Sequence, residues 1–225
     1  MTSAEIHTEH SLIFGPEVEP VALGYARLHL KALTALEDEL LTGWIAAARQ
    51  HFEEQTGRQL ITATRELWLD GFPCHRKIEL PFPPLQSVVS VQYVDPAGDL
   101  QSLTDGGSPE VPLYSVRAPA GPHAGRGWLE LNAGLTWPAT SCDAGAVRIQ
   151  FLCGYGDEPD AMPPLVTSAL LFLVGHFDQF RSEVYQSERG SLDTLPFGMA
   201  KILEGFKYSA LPSLVPRRAS WQVWP

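Results

Sequence analysis

Three cysteines in 225 residues leave no room for a disulfide framework. Cys74, Cys142 and Cys153 include no C-x-x-C pair of the kind that holds zinc or runs redox chemistry. They read as small hydrophobes in a reducing compartment. Basic residues are also scarce, with 16 Lys and Arg against 26 Asp and Glu and a net charge of -10. Affinity for nucleic acid comes mostly from Lys and Arg neutralising phosphates, so a free-standing nucleic-acid binder is excluded. Long apolar runs are missing as well. The longest, Ala169 to Val174, falls far short of the ~20 residues a membrane span needs. Met1 to His10 has neither a basic n-region nor an apolar h-region, so a soluble chain kept in the cytoplasm is expected.

The usual signatures of catalysis are missing too. There is no G-x-S-x-G, no Gly-Lys-Ser/Thr phosphate loop, no H-E-x-x-H and no Rossmann glycine pattern. Gly154-Tyr155-Gly156 lacks the third glycine and following base of a phosphate cradle, and reads as a strand-ending turn. Asp157, Glu158 and Asp160 do not follow the ligand order of a calcium loop. His176 lies among Phe172, Phe177 and Phe180 with no second ligand at helical spacing, the setting of a hydrogen-bonded core or interface histidine. Cys74 and His75 are adjacent, and adjacent strand residues point to opposite faces, which works against a nucleophile–base dyad. Trp68, Trp128 and Trp137 read as packing residues in so acidic a chain. No enzyme, metal or cofactor is expected.

What is present is a core and many turns. Hydrophobic residues make up 44% of the chain, which excludes wholesale disorder. Glycine and proline contribute 19 residues each, about one residue in six, so irregular chain is plentiful. At roughly 150 residues per domain the length suits one large domain or a core with an insertion. Residues 1–20 read as an arm anchored at Leu12-Ile13-Phe14. Val21 to Leu33 is spaced as a helix, Thr34 to Glu37 has the form of a capping box, and a second helix runs to about Thr56. That helix is expected to bury Leu40, Leu41, Trp44, Ile45, Ala48 and Phe52, with Gly57 as its cap.

From Gln59 to about Phe151 the period changes to two. Strands are expected at Ile61–Leu69, Val88–Val94, through Leu100 and Leu103, Leu113–Arg117, Gly127–Leu131 and Ala146–Leu152, with a turn at Asp95 to Gly98. Helical spacing returns at Leu165 to about Ser187, apolar nearly all round in its first half, and at Leu195 to Tyr208. The fold class expected is therefore α+β: a helical bundle formed by N- and C-terminal helices (21–58 and 162–208) with an inserted antiparallel β domain (59–161). A C-terminal tail (209–225) follows.

Four stretches, in order, resemble the head-tail connector (adaptor) family of long-tailed phages and gene transfer agents. The first is Trp44 to Arg49 with Glu53 and Thr56-Gly57-Arg58. The second is Leu80-Pro81-Phe82-Pro83-Pro84-Leu85 with Val88, Val91 and Tyr93 to Gly98. The third is Trp137-Pro138 with Val147 to Gly156 and the helix after Pro163. The fourth is Arg181 to Glu183 with Leu195-Pro196-Phe197-Gly198-Met199 through Leu203. Cys153, where the family commonly has Ala, and Lys207-Tyr208, in place of a closing Tyr-Arg, depart from the pattern.

The resemblance implies a structural protein of the virion neck. It would form a ring, dodecameric like the portal, extend the DNA channel, and offer a platform to the next neck, stopper or tail protein. DNA would pass through the lumen without specific binding. Ring contacts are expected from the helix carrying Phe177, Phe180 and Arg181, and glutamate at either phenylalanine should spare the fold but block assembly. The tail, with Leu211, Leu214, Arg217, Arg218, Trp221 and Trp224, carries an apolar load and an Arg pair suited to anchoring on the portal. The alternatives left open are a non-catalytic host-interaction module and an enzyme with an unrecognised site in the β insertion.

Overall fold

The computed structural model of the chain describes residues 8–31, 37–103, 113–179 and 197–207. Its class is α+β, with the helices and an antiparallel β region built from different parts of the chain. The described order is β1 (Thr8–Phe14), α1 (Leu23–Leu30), α2 (Asp38–Thr56), β2 (Ala63–Leu69), β3 (Lys77–Glu79), β4 (Leu85–Val94) and β5 (Leu100–Ser102). Then come β6 (Tyr114–Arg117), β7 (Trp128–Leu131), β8 (Val147–Cys153), a 3-10 turn at Pro159–Ala161, α3 (Pro164–Gln179) and α4 (Phe197–Phe206).

Helix α2 forms because Leu41, Ile45, Ala48, Phe52 and Thr56 recur on one stripe, which is the buried one. Gly57 ends it in the left-handed region (φ 68), its N–H donating to the Glu53 carbonyl. Leu40, expected inside, stands about a hundred degrees off that stripe and is exposed. Trp44 is half-buried. Of the expected capping box, Thr34 lies outside the described residues, and Glu37 at the N-cap makes no side-chain cap bond. Asp38 next to it takes the Arg27 guanidinium of α1 instead, with Arg27 Nε 2.6 Å from its Oδ1. Helix α1 is shorter than its apolar spacing suggests. It stops where Lys31 enters the left-handed region (φ 56) and its N–H turns back to the Arg27 and Leu28 carbonyls.

The helices share one core. Ile45, Ala48 and Phe52 of α2 meet Ala169, Leu170, Leu173 and Val174 of α3 and Met199, Leu203 and Phe206 of α4. Phe52 and Phe206 pack ring to ring at 5.9 Å. Each of the larger of these side chains contributes about 1.5–3 kcal/mol by leaving water.

The strands build two sheets over a second core. The larger runs β1-β2-β8-β4-β5 and the smaller β3-β7-β6, antiparallel throughout. Leu67, Leu69, Val91, Val147, Ile149 and Phe151 of the larger sheet face Ile78, Tyr114 and Leu129 of the smaller. In the larger sheet Leu67 pairs with Ile149 and Trp68 with Arg148, so the alternation puts aliphatic residues inward and Glu66, Trp68, Arg148 and Gln150 on the other face. Two strands are additions to the sequence reading. Residues 8–14, read as part of an arm, pair with β2 from Thr8↔Leu69 to Phe14↔Thr64 around a bulge. Strand β3 has only Ile78 buried, too little to leave an alternation.

Candidate assembly surfaces

Several of the residues that could have carried chemistry are occupied by packing. Gly154 (φ 128) closes β8, and Tyr155 N–H donates to the Leu60 carbonyl at 2.8 Å. Gly156 forms a parallel bridge to Ile61, so the Gly-Tyr-Gly stretch is a crossing point between the two cores. Cys153 is buried, and burial pushes its thiol up to about 12, so it stays protonated at neutral pH and is a poor nucleophile. Cys74 and Cys142 are exposed. Trp68 lies under Arg148, Trp128 under Lys77, and Trp137 stacks on Phe72 at 4.9 Å. Among the described residues no group of three or more His, Cys, Asp and Glu could hold a metal ion. Among them, too, no helix is long and apolar enough to cross a membrane.

Two polar networks hold the helices to the strands. Arg58, almost fully buried, donates to the Phe206 carbonyl (2.8 Å), the Ala124 carbonyl (2.9 Å) and the Tyr155 hydroxyl (3.3 Å). Tyr155 in turn donates to the Pro122 carbonyl at 2.6 Å, so one guanidinium ties α4 to the loop before β7. Burial raises the Tyr155 pKa, keeping it a neutral donor. The second network starts at Glu19, which accepts from Arg49 at 2.8 Å, and Arg49 also reaches Glu53 at 3.1 Å. Burial works against the Arg49 charge, but the two carboxylates outweigh it and its pKa is raised. Glu53 Oε1 accepts from the Leu60 N–H and from Gln59 Nε2, and Gln59 Oε1 accepts from Arg65 Nε at 2.9 Å.

Arg65 then lies 3.7 Å over the Phe82 ring, and His10 of β1 meets the same ring edge-on at 4.8 Å. Burial lowers the pKa of His10, with Arg65 adding to the effect. Burial also lowers that of Arg65 and raises that of Glu53. Strand β1 and helix α2 are thereby keyed to β2.

Two depressions of the described surface gather no acid–base pair of catalytic type. One of about 370 Å³ between α1 and α3 is lined by Pro20, Tyr25, Pro159, Asp160, Thr167 and Ser168 among others. Another, of about 340 Å³, lies among Glu9, Trp68, Asp70, Ala144 and Gly145. The notable surface is apolar. Tyr25 (51% exposed) and Leu28 (74%) on α1 and Phe172 (55%) and Leu165 on α3 are exposed, and the His29 ring of α1 lies 6.4 Å from that of Phe172. On the β side, Leu12 and Phe14 project from the edge strand β1.

Of the expected ring-contact residues, Phe177 is half-buried against the helical core rather than free on the surface. Phe180, Arg181 and the tail residues Leu211, Leu214, Arg217, Arg218, Trp221 and Trp224 lie outside the described residues. Leu28 and Phe172 were not singled out. For Phe172 the signal was present, since α3 is apolar nearly all round while the core takes Val166, Ala169, Leu170, Leu171, Leu173 and Val174.

No protein-family model matches the chain, and no curated protein matches it in sequence. Solved structures do. The chain is similar to one in the virion of a native gene transfer agent particle, with a TM-score of 0.70 and 20% identity, covering 91% of this chain and 97% of that one. It is similar to one in the neck of the empty particle computed with C6 symmetry (TM-score 0.72, 21% identity, 92% and 100% covered). A third likeness is to the neck of the native particle computed with C12 symmetry (0.68, 20%, 92% and 100%). These likenesses establish the fold over nine-tenths of the chain.

Proposed function

We propose that this chain is a structural adaptor of a phage-like or gene transfer agent particle, forming a ring under the portal that extends the DNA channel and docks the next neck or tail protein. The observation that carries the reading is the match of fold to chains of particle necks that are covered end to end. Among the described residues no convergent set of titratable groups competes with it. The exposed apolar ridge on α1 and α3 has the character of an interface, since such clusters on a soluble chain mark contacts with other proteins. The charge fits as well. A ring multiplies the net -10 by its subunit number, and a negative lumen repels phosphates, so that DNA slides rather than sticks.

In this reading α3 supplies ring contacts through its exposed Phe172, with Phe180 and Arg181, which follow it in the sequence, contributing. The tail anchors on the portal through Leu211, Leu214, Arg217, Arg218, Trp221 and Trp224. Trp and Arg are the residues most enriched at binding hot spots, and Pro212, Pro216 and Pro225 reduce the entropy lost on docking. Light scattering coupled to size exclusion, with and without purified portal, tests the assembly. A cyclic oligomer that co-elutes with portal is expected, and a chain that stays monomeric and apart from portal overturns the reading. Deleting residues 210–225 should lower adaptor retention on purified heads. Retention equal to wild type would show that the tail is not the anchor.

A further inference from the structure

We infer that strand β1 is a pH-sensitive clasp: residues 8–14 lie along the edge of β2 while His10 is neutral and loosen from it when His10 takes up a proton. The device works within a single chain and does not depend on ring formation.

The strand is lightly held. It is outermost in the larger sheet and pairs there with β2. Thr8 and Ile13 are half-buried and the other five residues are exposed. Leu12 and Phe14 keep 49% and 69% of their surface in water, so little further apolar area is uncovered when the strand lifts. Its docking therefore depends on the backbone ladder to β2 and on the seat of His10 against Phe82.

That seat already holds a positive charge. His10 stands opposite Leu67, and Arg65, two residues along β2 on the same face, is its diagonal neighbour. Phe82 joins the two side chains, with the Arg65 guanidinium 3.7 Å over its ring and the His10 ring at 4.8 Å. Arg65 has that ring as its cation–π partner, so a proton on His10 adds a second cation where one is in place.

The other groups facing His10 do not offset the charge. The face of β2 that it meets carries Leu69, Leu67 and Arg65. Residues 80–84, which bring Phe82, include no titratable side chain. Glu9 of β1 and Glu66 of β2 belong to the opposite face of the sheet. Glu53 donates no bond to His10; its carboxylate accepts from Gln59, which accepts from Arg65, and it loses negative charge as pH falls. Partial burial and Arg65 both lower the His10 pKa from the usual 6.5, the direction this geometry requires. The docked strand binds the proton less readily than the free one. Docking is thus at full strength above the ordinary histidine pKa and weakens as pH falls below it.

Amide hydrogen exchange of the full chain tests the clasp, read by peptide mass spectrometry at about pH 7.5 and about pH 5, on either side of histidine titration, with each rate corrected for intrinsic exchange. In wild type, the peptide covering residues 8–14 is expected to lose protection at the lower pH while that of β8 keeps its own. His10→Phe and His10→Gln, neither of which takes up a proton, are expected to hold β1 equally at both. Equal protection of wild-type β1 at the two pH values would overturn the proposal. So would an acid loss in both variants, which would put the responsible proton on another group. Loss of β8 protection together with β1 would mean that the sheet unfolds rather than releasing its edge, and would overturn it too.

Discussion

Glu53 is the side chain on which burial and pairing pull hardest against each other. Burial raises its pKa although the Leu60 N–H and Arg49 both favour the carboxylate. The native state therefore holds this proton more tightly than the unfolded chain does. Whatever the carboxyl contributes is present at low pH and is lost as pH rises through its folded-state titration. Compared with Glu53→Gln, wild type should lose stability as pH rises above the ordinary glutamate range toward neutrality. Urea unfolding of both proteins across that range measures it, and parallel profiles would mean an unshifted carboxyl. Arg58 gives a simpler case. Truncating it to Ala strips the Phe206 and Ala124 carbonyls and the Tyr155 hydroxyl of a shared donor, so a loss of about 3 kcal/mol is expected. Lys should not rescue it, because one ammonium cannot match the guanidinium fork. Equal stability of Arg58→Lys and wild type would refute the account.

Within single elements, two glycines should respond in opposite directions to the same methyl group. At Gly154 the backbone is left-handed (φ 128), and a Cβ would lie 2.7 Å from the Ile61 carbonyl and the Thr62 nitrogen. Gly154→Ala should therefore cost more than about 3 kcal/mol, or give insoluble protein, because backbone on both sides has to move. Gly43 is an exposed position inside α2 with open space around it, so Gly43→Ala should stabilise the monomer by about 1 kcal/mol through helix propensity. Thermal melts of the two variants decide both.

The long elements were legible in advance for local reasons. The apolar stripe and Gly57 mark α2, and Asp95 marks the turn before β5, its carboxylate accepting the Ala97 and Asp99 N–H groups at 2.9 and 3.0 Å. Strand β1 was not legible. Most of its residues remain exposed, so it carries no alternation, and its place depends on β2 having an open edge.

At the scale of the whole molecule, Phe172 and Phe177 exchange the roles their sequence context suggests. Phe177 packs against the helical core, so Phe177→Glu does not spare the fold. It should cost about 2–3 kcal/mol of monomer stability. Phe172 is the surface probe. Phe172→Glu should leave monomer stability within about 0.5 kcal/mol of wild type and reduce ring formation. Denaturant unfolding and light scattering together read both effects, and rings forming at the wild-type concentration would show the Phe172 surface to be idle.

The amino-acid sequence by itself determined the helical and extended periods, the turns, the acidic charge and the apolar load of α3, because each is carried by residues close together along the chain. Only the tertiary structure decided which side of α3 is covered, that residues 8–14 join the larger sheet, and that Arg58 links α4 to the loop before β7. Burial depends on what else reaches the same place, and partners such as Arg58 and Phe206 lie too far apart along the chain for any local pattern to record their meeting.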